Sequence, residues 1–530
     1  MIRINNIKIK DNLDKEDILK IGIENSNIKL EDILNYKIHK KSIDARKKED
    51  VHYNYSLDIC LKNKTKETNL VKNQKNIEFV KEIQFPKISI NCNKDLNVVV
   101  IGAGPAGLFS AITLVDNGIK PIIIEQGSKV EDRTKDVESF IKTRILNEKS
   151  NIQFGEGGAG TFSDGKLNTG SNNIYAKSVL KTFVKFGAPE EILYVSKPHI
   201  GTDNLTSIVK NMRNYIISKG GQVIFNKKVI DFNIEDNKIK SIIAQGNEII
   251  KCDKLILAIG NSSRDTFKKI YEKGLNLKIK NFAVGVRIEH LQKDIDFSQY
   301  GNNYNKFLPS AEYKLVKHLS NGRTCYTFCM CPGGTVVPAT SCKNKVVTNG
   351  MSKFLRNEIN SNSALLVNIT EKDLESKDVL SGIKFQEDLE KKAYILGGNN
   401  YNAPIQRVED FLNNKTTIKL GKIKPSYLPD ITYSNLNDIL PQFIAESLKE
   451  GIKEMGKNIK GFDDKDAILT GVETRTSSPV QIIRDSETLM SNILNIYPCG
   501  EGAGYAGGIT TSAIDGIKCA LSILESKAEK

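Results

Sequence analysis

The pattern of apolar and polar positions is most regular over residues 97–126. Residues 97–101 form a short β-branched run, which is typical of a buried parallel strand. After a glycine-rich turn, residues 106–117 show the pattern of a helix, and residues 121–124 form a second apolar strand. Strand, turn, helix and strand in this order predict the start of a doubly wound α/β domain.

The turn has the spacing G-x-G-x-x-G, formed by Gly102, Gly104 and Gly107. The first glycine permits the tight turn, the second lets the backbone approach a pyrophosphate, and the third lets the helix pack against the strand. The helix directs its N-terminal amides at the phosphates. Glu125 ends the second strand as an acceptor for a ribose 2′-hydroxyl, and its charge repels a 2′-phosphate. The pattern therefore predicts FAD or NAD rather than NADP.

The first 95 residues are interpreted as a separate small α+β module. Alternating positions predict strands over 2–9, 36–45 and 51–61, and a helix capped by Asp14 over about 15–24. Residues 62–78 are polar and rich in Lys and Asn, so we expect a linker or an exposed loop there.

After the first strands of the nucleotide fold, the pattern of apolar and polar positions predicts further helices and strands that we divide between two domains. The predicted elements are a helix over 203–219, short strands over 222–225, 228–234, 238–244 and 248–251, and a buried strand that starts at 255 and leads to Gly260. Further β-like segments are predicted over 282–290, 312–318, 324–330, 334–339 and 345–348, with residues 384–413 partly helical. We predict an FAD-binding domain over 96–275 and 465–530, and an inserted substrate or cap domain over 276–464.

Two further glycine-rich segments predict close approach of backbone to a ligand. Residues 151–166 carry Gly155, Gly157, Gly158, Gly160 and Gly165, and cannot form a regular element. Their aromatic residues, at positions 154 and 162, need burial and argue against a flexible surface loop. In residues 496–516 a strand leads into a glycine-rich turn that carries Glu501, and a helix starts near Ile509. The N-terminus of that helix offers positive potential to a developing anion.

Composition limits the remaining possibilities. The chain of 530 residues has 39% hydrophobic and 26% charged residues, and its net charge of +14 is spread along the chain. No apolar run is long enough for a membrane span, so we expect a soluble cytoplasmic protein without a membrane or nucleic-acid partner. The nine cysteines show no C-x-x-C pair and no disulfide framework, and no metal site is expected. The oligomeric state stays open.

These segments together resemble the FAD-binding fold of glutathione-reductase-type flavoproteins, and more closely the bacterial family of uncharacterised FAD-dependent dehydrogenases. The motifs that carry the resemblance are Phe154-Gly-Glu-Gly-Gly-Ala-Gly-Thr-Phe-Ser-Asp-Gly-Lys166, Gly285-Val-Arg-Ile-Glu-His290, Phe328-Cys-Met-Cys-Pro-Gly-Gly334, Glu473-Thr-Arg-Thr-Ser-Ser-Pro479 and Gly500-Glu-Gly-Ala-Gly-Tyr-Ala-Gly-Gly-Ile509. The resemblance covers nearly the whole chain and implies FAD binding and redox chemistry, without a substrate.

The resemblance also implies roles for single residues. Arg133 would reach the phosphates, the backbone of Val229 would meet the adenine, and Glu501 would bind the ribityl side. The candidate cofactor-binding residues are Gly102, Gly104, Ala106, Gly107, Glu125, Gln126, Arg133, Gly158, Ala159, Gly160, Ser163, Val229, Gly260, Gly500, Glu501, Gly508, Ile509 and Thr510.

Candidates to line the reacting ring come from the glycine-rich segment and from the motif at 473–479. They are Asp164, Lys166, Arg475 and Ser477. Asp164 and Lys166 are alternatively an ordinary surface pair. His290 is either a proton donor or, as we favour, a histidine satisfied in the core.

Cys329 and Cys331 have two interpretations. On a regular strand, residues i and i+2 face one side about 6.6 Å apart at Cα, which is the upper limit for a disulfide, so a bond needs a kink. Buried strand cysteines are the default, and a redox pair is the alternative.

We therefore expect an FAD-dependent oxidoreductase that transfers hydride to or from a small or medium organic substrate, with NAD(P)H as a transient co-substrate. The alternatives are a flavoprotein of tRNA modification and a non-catalytic FAD-binding sensor.

Overall fold

The computed structural model describes residues 1–24, 26–81, 90–168, 173–303 and 307–526. The N-terminal unit consists of β1 (Ile2–Ile9), α1 (Lys15–Ile23), β2 (Ile33–Asp44), β3 (His52–Leu61), α2 (Lys64–Asn73) and β4 (Ile77–Phe79). Its strands form an antiparallel sheet in the order β2-β3-β1-β4. The predicted strands and first helix are confirmed.

The expectation of a linker or loop over 62–78 is wrong, because this segment forms α2 and β4. Asn63 caps the helix by accepting hydrogen bonds from the amides of Thr65 and Lys66. Glu67 is buried, and its carboxylate accepts hydrogen bonds from the Leu61 amide and the Met1 amino group. A buried, fully paired glutamate is invisible to a hydropathy pattern, so the helix looked like an exposed segment.

The nucleotide fold follows. Its elements are β5 (Val98–Ile101), α3 (Pro105–Asp116), β6 (Ile122–Ile124), α4 (Val130–Thr143), α5 (Ile174–Lys185), α6 (Thr202–Ser218), β7 (Gln222–Ile224), β8 (Val229–Glu235), β9 (Lys238–Ala244), β10 (Glu248–Lys251), β11 (Lys254–Leu257) and α7 (Arg264–Glu272). Strands β8 to β10 form the predicted antiparallel meander. Helices α5 and α7 were not predicted.

The next part of the chain is dominated by strands. Its elements are β12 (Leu277–Ile279), β13 (Phe282–Leu291), α8 (Gln292–Tyr300), β14 (Val316–His318), β15 (Thr324–Cys331), β16 (Thr335–Pro338), β17 (Thr348–Met351), β18 (Asn360–Ile369), α9 (Ser381–Leu396), β19 (Ala403–Arg407), α10 (Val408–Leu412), β20 (Ile431–Tyr433), α11 (Gln442–Gly456), β21 (Ile468–Glu473) and β22 (Val480–Ile482). One sheet has the order β14-β15-β18-β13-β21-β19-β20. It includes β21, beyond the boundary predicted at residue 464, and β18, which the pattern did not reveal. Strands β12 and β22 pair antiparallel where the chain enters and leaves this unit.

The chain then returns to the nucleotide fold through β23 (Ile496–Pro498) and α12 (Ile509–Glu525). The parallel sheet has the order β23-β11-β5-β6-β7, which confirms the predicted α/β class. Helix α12 crosses α3 closely at Gly516, where a Cβ would lie 2.1 Å from the Ala106 carbonyl oxygen. This contact brings the N-termini of both helices to one edge of the sheet.

The N-terminal unit packs against the rest of the molecule. Its core is continuous with that of the large sheet. The Tyr53 hydroxyl donates to the Phe307 carbonyl at 2.5 Å, and the Lys41 amide donates to the Tyr194 carbonyl at 2.7 Å. Within the described residues, no helix is long and apolar enough to cross a membrane.

Candidate active site

The glycine turn after β5 is shaped by two glycines that packing requires. Gly102 has a φ of 101°, and a Cβ there would lie 2.3 Å from the Ala258 carbonyl oxygen. A Cβ at Gly107 would lie 1.9 Å from the Gly102 carbonyl oxygen. Gly104 differs, because the nearest atom to a Cβ there is the Gly158 Cα, 3.8 Å away. The turn therefore leaves open space above Gly104, where a ligand phosphate can approach the backbone.

Glu125 is buried at the end of β6. Its Oε1 accepts hydrogen bonds from the amides of Gly127 at 2.9 Å and Gly155 at 3.0 Å, and its Oε2 accepts one from Ala103 at 2.9 Å. The carboxylate thus ties the turn to the glycine-rich segment. Oε2, with a single amide donor, keeps capacity to accept a hydroxyl.

A cleft opens beside this carboxylate at the end of the parallel sheet. Its lining residues are Ile101, Gly102, Ile124, Glu125, Gln126, Phe154, Lys227, Lys228, Val229, Ile259, Ser263 and Thr266. Gln126 and Val229 thus line the same cleft as Glu125. Apolar walls and a few polar groups are suited to the adenosine part of a dinucleotide.

Arg133 on α4 is fully buried and holds the glycine-rich segment. Its nitrogens donate to the carbonyls of Asn151, Ile152, Gly155, Glu156 and Gly158, at 2.6 to 3.3 Å. The expectation that Arg133 reaches the phosphates is therefore corrected: each of its three nitrogens already donates to this segment. Gly155 is required here, because a Cβ would lie 2.4 Å from Cδ of Arg133.

The glycine-rich segment forms an ordered wall over the turn. Residues Ala159–Phe162 form one 3-10 turn, and a Cβ at Gly158 would lie 3.1 Å from the Gly104 Cα. Ser163 Oγ donates to the Gly160 carbonyl at 2.7 Å and accepts from the Gly165 amide at 3.1 Å. The serine thus stabilises the segment from within.

Glu156 in this segment is completely buried. Its Oε2 accepts from the Val130 amide at 2.8 Å and from Arg213 at 2.7 Å. Burial raises the pKa of Glu156 to about 7 despite these partners.

The third wall comes from the segment after β23. Glu501 accepts a hydrogen bond from Asn261 Nδ2 at 2.8 Å, and burial raises its pKa to about 7. Gly500 packs on Ala106, since a Cβ there would lie 2.8 Å from the Ala106 Cβ. Thr510 donates its hydroxyl to the Leu167 carbonyl at 2.9 Å, which ties α12 to the glycine-rich segment.

Open space continues along this wall. A Cβ at Gly260, at Gly507 or at the N-cap Gly508 would meet no atom within 4 Å. The amides of Ile509 and Thr510 lie in the first turn of α12, where a helix has no internal partner for them. We refer to the open space beside Gly104, Gly260 and Gly508 as the groove. Gly104 and Gly508 are the N-caps of α3 and α12, and two helix N-termini are suited to an extended dinucleotide such as FAD.

Two of the proposed ring-lining residues already have protein partners. Asp164 is fully buried and pairs with Arg356, at 2.9 Å to Nε and 2.5 Å to Nη2. Lys166 Nζ lies 3.3 Å from Glu312, which also pairs with the exposed Lys197 at 2.7 Å. These two cations and Arg356 help to lower the pKa of Glu312 to about 2, against burial, which is the largest effect and acts in the opposite direction.

Arg475 pairs with Glu390 of α9 instead of extending toward a ring. Its Nε and Nη2 donate to the Glu390 carboxylate at 3.0 and 2.8 Å, and Nη1 donates to Ser341 at 2.5 Å. Arg264 binds the same carboxylate. The expectation that Arg475 faces a ligand is therefore corrected, because its three nitrogens are engaged in the protein. Ser477 is half-buried nearby.

The interpretation of His290 as a core histidine agrees with its surroundings. It is buried, its Nε2 lies 2.8 Å from the Phe462 carbonyl, and burial lowers its pKa.

A buried cluster between β13, β15 and β21 was not predicted from the sequence. Arg287 is fully buried, and its Nη1 donates to both carboxylate oxygens of Glu473 at 2.9 and 2.8 Å. Its Nη2 donates to the Cys329 carbonyl at 2.6 Å and lies 3.5 Å from Cys331 Sγ. Charged residues inside otherwise apolar strands are the signal in the sequence that could have revealed this cluster.

Comparison with known proteins assigns the three parts of the chain to different family models. Residues 96–270 match the model described as pyridine nucleotide-disulphide oxidoreductase. Residues 281–476 match the model described as FAD-dependent protein, C-terminal domain-like, and residues 1–60 match a domain of unknown function, DUF8436.

A protein of Clostridium beijerinckii, described as an uncharacterised protein, is 45% identical over 527 residues, which cover 99% of this chain and 98% of that protein. Among solved structures, L-proline dehydrogenase from P. horikoshii is 12% identical, with a TM-score of 0.34 and coverage of 81% of this chain and 92% of that chain. Glycine oxidase from Bacillus cereus is 12% identical, with a TM-score of 0.31 and coverage of 81% and 95%. Structural similarities at this level carry no argument about the chemistry of this chain.

Proposed function

This chain belongs to the bacterial family of FAD-dependent dehydrogenases, and from this premise we propose how its groove and its inserted sheet serve a hydride-transfer reaction on a small or medium organic molecule. The chain is an FAD-dependent oxidoreductase of mixed α/β fold, and its cofactor is FAD. The observation that carries the proposal is the groove between Gly104, Gly260 and Gly508, which is open and lined by helix N-termini.

The cofactor's pyrophosphate is assigned to the backbone of Gly104 and the first turn of α3, and its adenosine ribose to Glu125 Oε2. Glu501 is assigned to a hydroxyl of the ribityl chain, and the first turn of α12 to the side of the ring that becomes negative on reduction. Bound FAD supplies the two-electron redox chemistry, and the protein supplies orientation and charge.

Asp164 and Arg475 are assigned as positioning residues, since each is locked in a buried pair with a group from the inserted unit. Lys166 is assigned to the reacting end of the groove, where its side chain is partly exposed. Ser477 follows Arg475 in the same connection and lines the same region in this proposal.

A nicotinamide donor would visit the cleft only transiently in this proposal. The residues that the structure describes form one dinucleotide fold, which is suited to FAD, so among them NADH or NADPH has no Rossmann domain of its own. We therefore expect slow reduction with low affinity. We also propose a cytoplasmic location, because all nine cysteines are unpaired; the substrate is a small molecule and no nucleic acid is involved.

The test is anaerobic titration of the purified protein with NADH and NADPH, followed in the visible spectrum of its bound flavin, and mass analysis of the released nucleotide. FAD in near-stoichiometric amount and slow bleaching support the proposal. NAD as the only released nucleotide would overturn the cofactor assignment, and tight stoichiometric NAD(P)H binding would overturn the transient visit.

A further inference from the structure

Strand β15 is irregular at its two cysteines. Its register with β18 steps from Phe328 opposite Ala364 to Cys331 opposite Asn362, so one extra residue lies on β15. Cys329 itself has a φ of 43°, in the left-handed region that side chains rarely adopt. A regular strand would hold the two cysteines at the upper limit for a disulfide. This bulge breaks that spacing, and Cys331 Sγ lies 3.4 Å from the Cys329 carbonyl oxygen.

A buried cation lies beside the pair. Arg287 Nη2 contacts both the Cys329 carbonyl and the Cys331 sulfur. The pKa of Cys329 is lowered, first because Cys331 donates a hydrogen bond to it, and then because Arg287 and Lys166 are positively charged. The same hydrogen bond and burial raise the pKa of Cys331.

Cys252 and Cys325 lack this environment. Burial raises the pKa of Cys252 and of Cys325 to about 12. Cys325 lies on the same strand, four residues before Cys329, so it is a control on the regular part of that strand.

The pair lies where the inserted sheet meets the proposed reacting end of the groove. The turn after the pair packs on Arg356, since a Cβ at Gly333 would lie 1.8 Å from the Arg356 carbonyl oxygen, and Arg356 pairs with Asp164 of the glycine-rich segment. Cys329 is half-buried, whereas Cys331 is fully buried. This asymmetry suits Cys329 as the attacking residue and Cys331 as the resolving residue.

We propose that Cys329 and Cys331 form a redox-active dithiol, and that the substrate class of this site is a low-molecular-weight disulfide. This inference rests on the proposed function, because the bound FAD, reduced by NAD(P)H, is the source of the electrons that restore the pair.

The exchange balances in two displacements. The Cys329 thiolate attacks one sulfur of the external disulfide, so that a mixed disulfide forms and one external thiolate leaves. Cys331 loses its proton and attacks the Cys329 sulfur, so that the Cys329–Cys331 bond forms and the second external thiol leaves. Reduced FAD, when bound, would supply the two electrons and two protons that restore both thiols.

The experiment uses the FAD-loaded full chain under anaerobic conditions with glutathione disulfide as the probe and no NAD(P)H. After an acid quench, free thiols are alkylated and peptides are analysed by mass. We expect the peptide with Cys329 and Cys331 to lose two hydrogens and resist alkylation, with two glutathiones released and seven cysteines still alkylated. A pair that stays reduced, or oxidation spread evenly over the cysteines, would overturn the proposal.

Three variants separate the roles. Cys331→Ser is expected to trap a glutathione adduct at Cys329, Cys329→Ser to form no adduct, and Cys325→Ser to behave as the wild type. In the native protein, Cys329 should be alkylated at pH 7 at least about tenfold faster than Cys325. Equal rates, or a stable wild-type adduct that Cys331 does not resolve, would contradict the assignment.

The flavin spectrum of each sample distinguishes this inference from the proposed function. If FAD is bound and NAD(P)H reduces it while the pair stays inert toward the probe, the dithiol proposal fails and the proposed function stands. If the pair reacts but no FAD is bound, the proposed function fails and the electron source of this proposal fails with it.

Discussion

The cofactor end of the groove is built from main chain, whereas the opposite end is built from buried side-chain pairs. At the first end, Gly102, Gly104 and Gly107 shape a turn, and Glu125 binds backbone amides. At the second end, Arg287 with Glu473 and Arg356 with Asp164 connect strands and loops far apart in the sequence. Main-chain groups can recognise what all dinucleotides share, and in our proposal the paired side chains are what makes the reacting end particular to this chain.

The two ends also differ in what a substitution should do. At the cofactor end, a substitution at a residue that borders open space should weaken FAD binding with little change in the free energy of unfolding. A substitution in a buried ion pair should lower the free energy of unfolding, because the remaining partner is left charged and unpaired in the interior. The following predictions test this contrast.

The largest effect is expected for Gly104→Val. The φ of Gly104 is an ordinary −76°, and its Cβ position is 3.8 Å from the nearest protein atom, so the side chain fills ligand space. FAD affinity should fall at least about a hundredfold, which is about 3 kcal/mol. Flavin content and the melting temperature are the measurements, with FAD-stripped wild type as the control. A flavin-loaded variant would show that the pyrophosphate lies elsewhere.

Next in size is Arg133→Met, which removes the donors that hold five carbonyls. We expect the free energy of unfolding to fall by about 2 kcal/mol, since buried carbonyls lose their partners. Urea unfolding of the FAD-free protein is the measurement. Lys135→Met on the same helix α4, where Lys135 is exposed, should cost less than about 0.5 kcal/mol. Loss of FAD with unchanged FAD-free stability would instead support a direct phosphate contact.

A smaller, pH-dependent effect is expected for Glu156→Gln. Its pKa in the folded protein, about 7, is above the ordinary 4.5, so the folded state holds the proton more tightly than the unfolded state. The wild type therefore loses stability as pH rises through this window, whereas the Gln variant has no such loss. The stability difference, Gln variant minus wild type, should increase by about 2 kcal/mol between pH 5 and pH 8.

The control for that experiment is Glu131→Gln, whose effect on stability should depend on pH with the opposite sign. The pKa of Glu131 is lowered to about 2, because Arg213 donates hydrogen bonds to it. Its contribution is present above pH 4.5 and is lost as pH falls toward 2, so Glu131→Gln should destabilise at pH 8. If both variants respond to pH alike, burial is not the cause of the Glu156 shift.

The smallest effect is expected on the rate of flavin reduction, when substitutions of two lysines that pair with the same carboxylate are compared. Lys166 and Lys197 both pair with Glu312, but Lys197 is far more exposed, with 62% of its side chain accessible against 24%. Stopped-flow reduction by NADH should be about tenfold slower for Lys166→Met. For Lys197→Met it should be nearly unchanged. FAD content should be that of the wild type in both variants. Equal rates in the two variants would remove Lys166 from the reacting end.

Local features of the sequence were sufficient for the cofactor end. Glycines, β-branched runs and helix starts act through neighbouring residues, so the turn at Gly102, the meander and helix α12 were all predicted from the pattern. The segment 62–78 was misjudged because its helix depends on the buried Glu67 and the amino group of Met1. A contact across 66 residues leaves no mark on a local pattern.

The side-chain pairs required the tertiary structure. The sequence determined that Arg133, Arg475 and the two cysteines were worth attention, but not which way they point. Arg133 turns to the carbonyls of its own neighbouring segment, and Arg475 turns to Glu390 on α9. A buried charge must be paired with whatever polar group the fold brings beside it. The backbone bulge at Cys329 likewise depends on register with β18, a strand that the pattern did not reveal. Local periodicity reports which face of an element is buried, and only long-range packing decides which partner is buried with it.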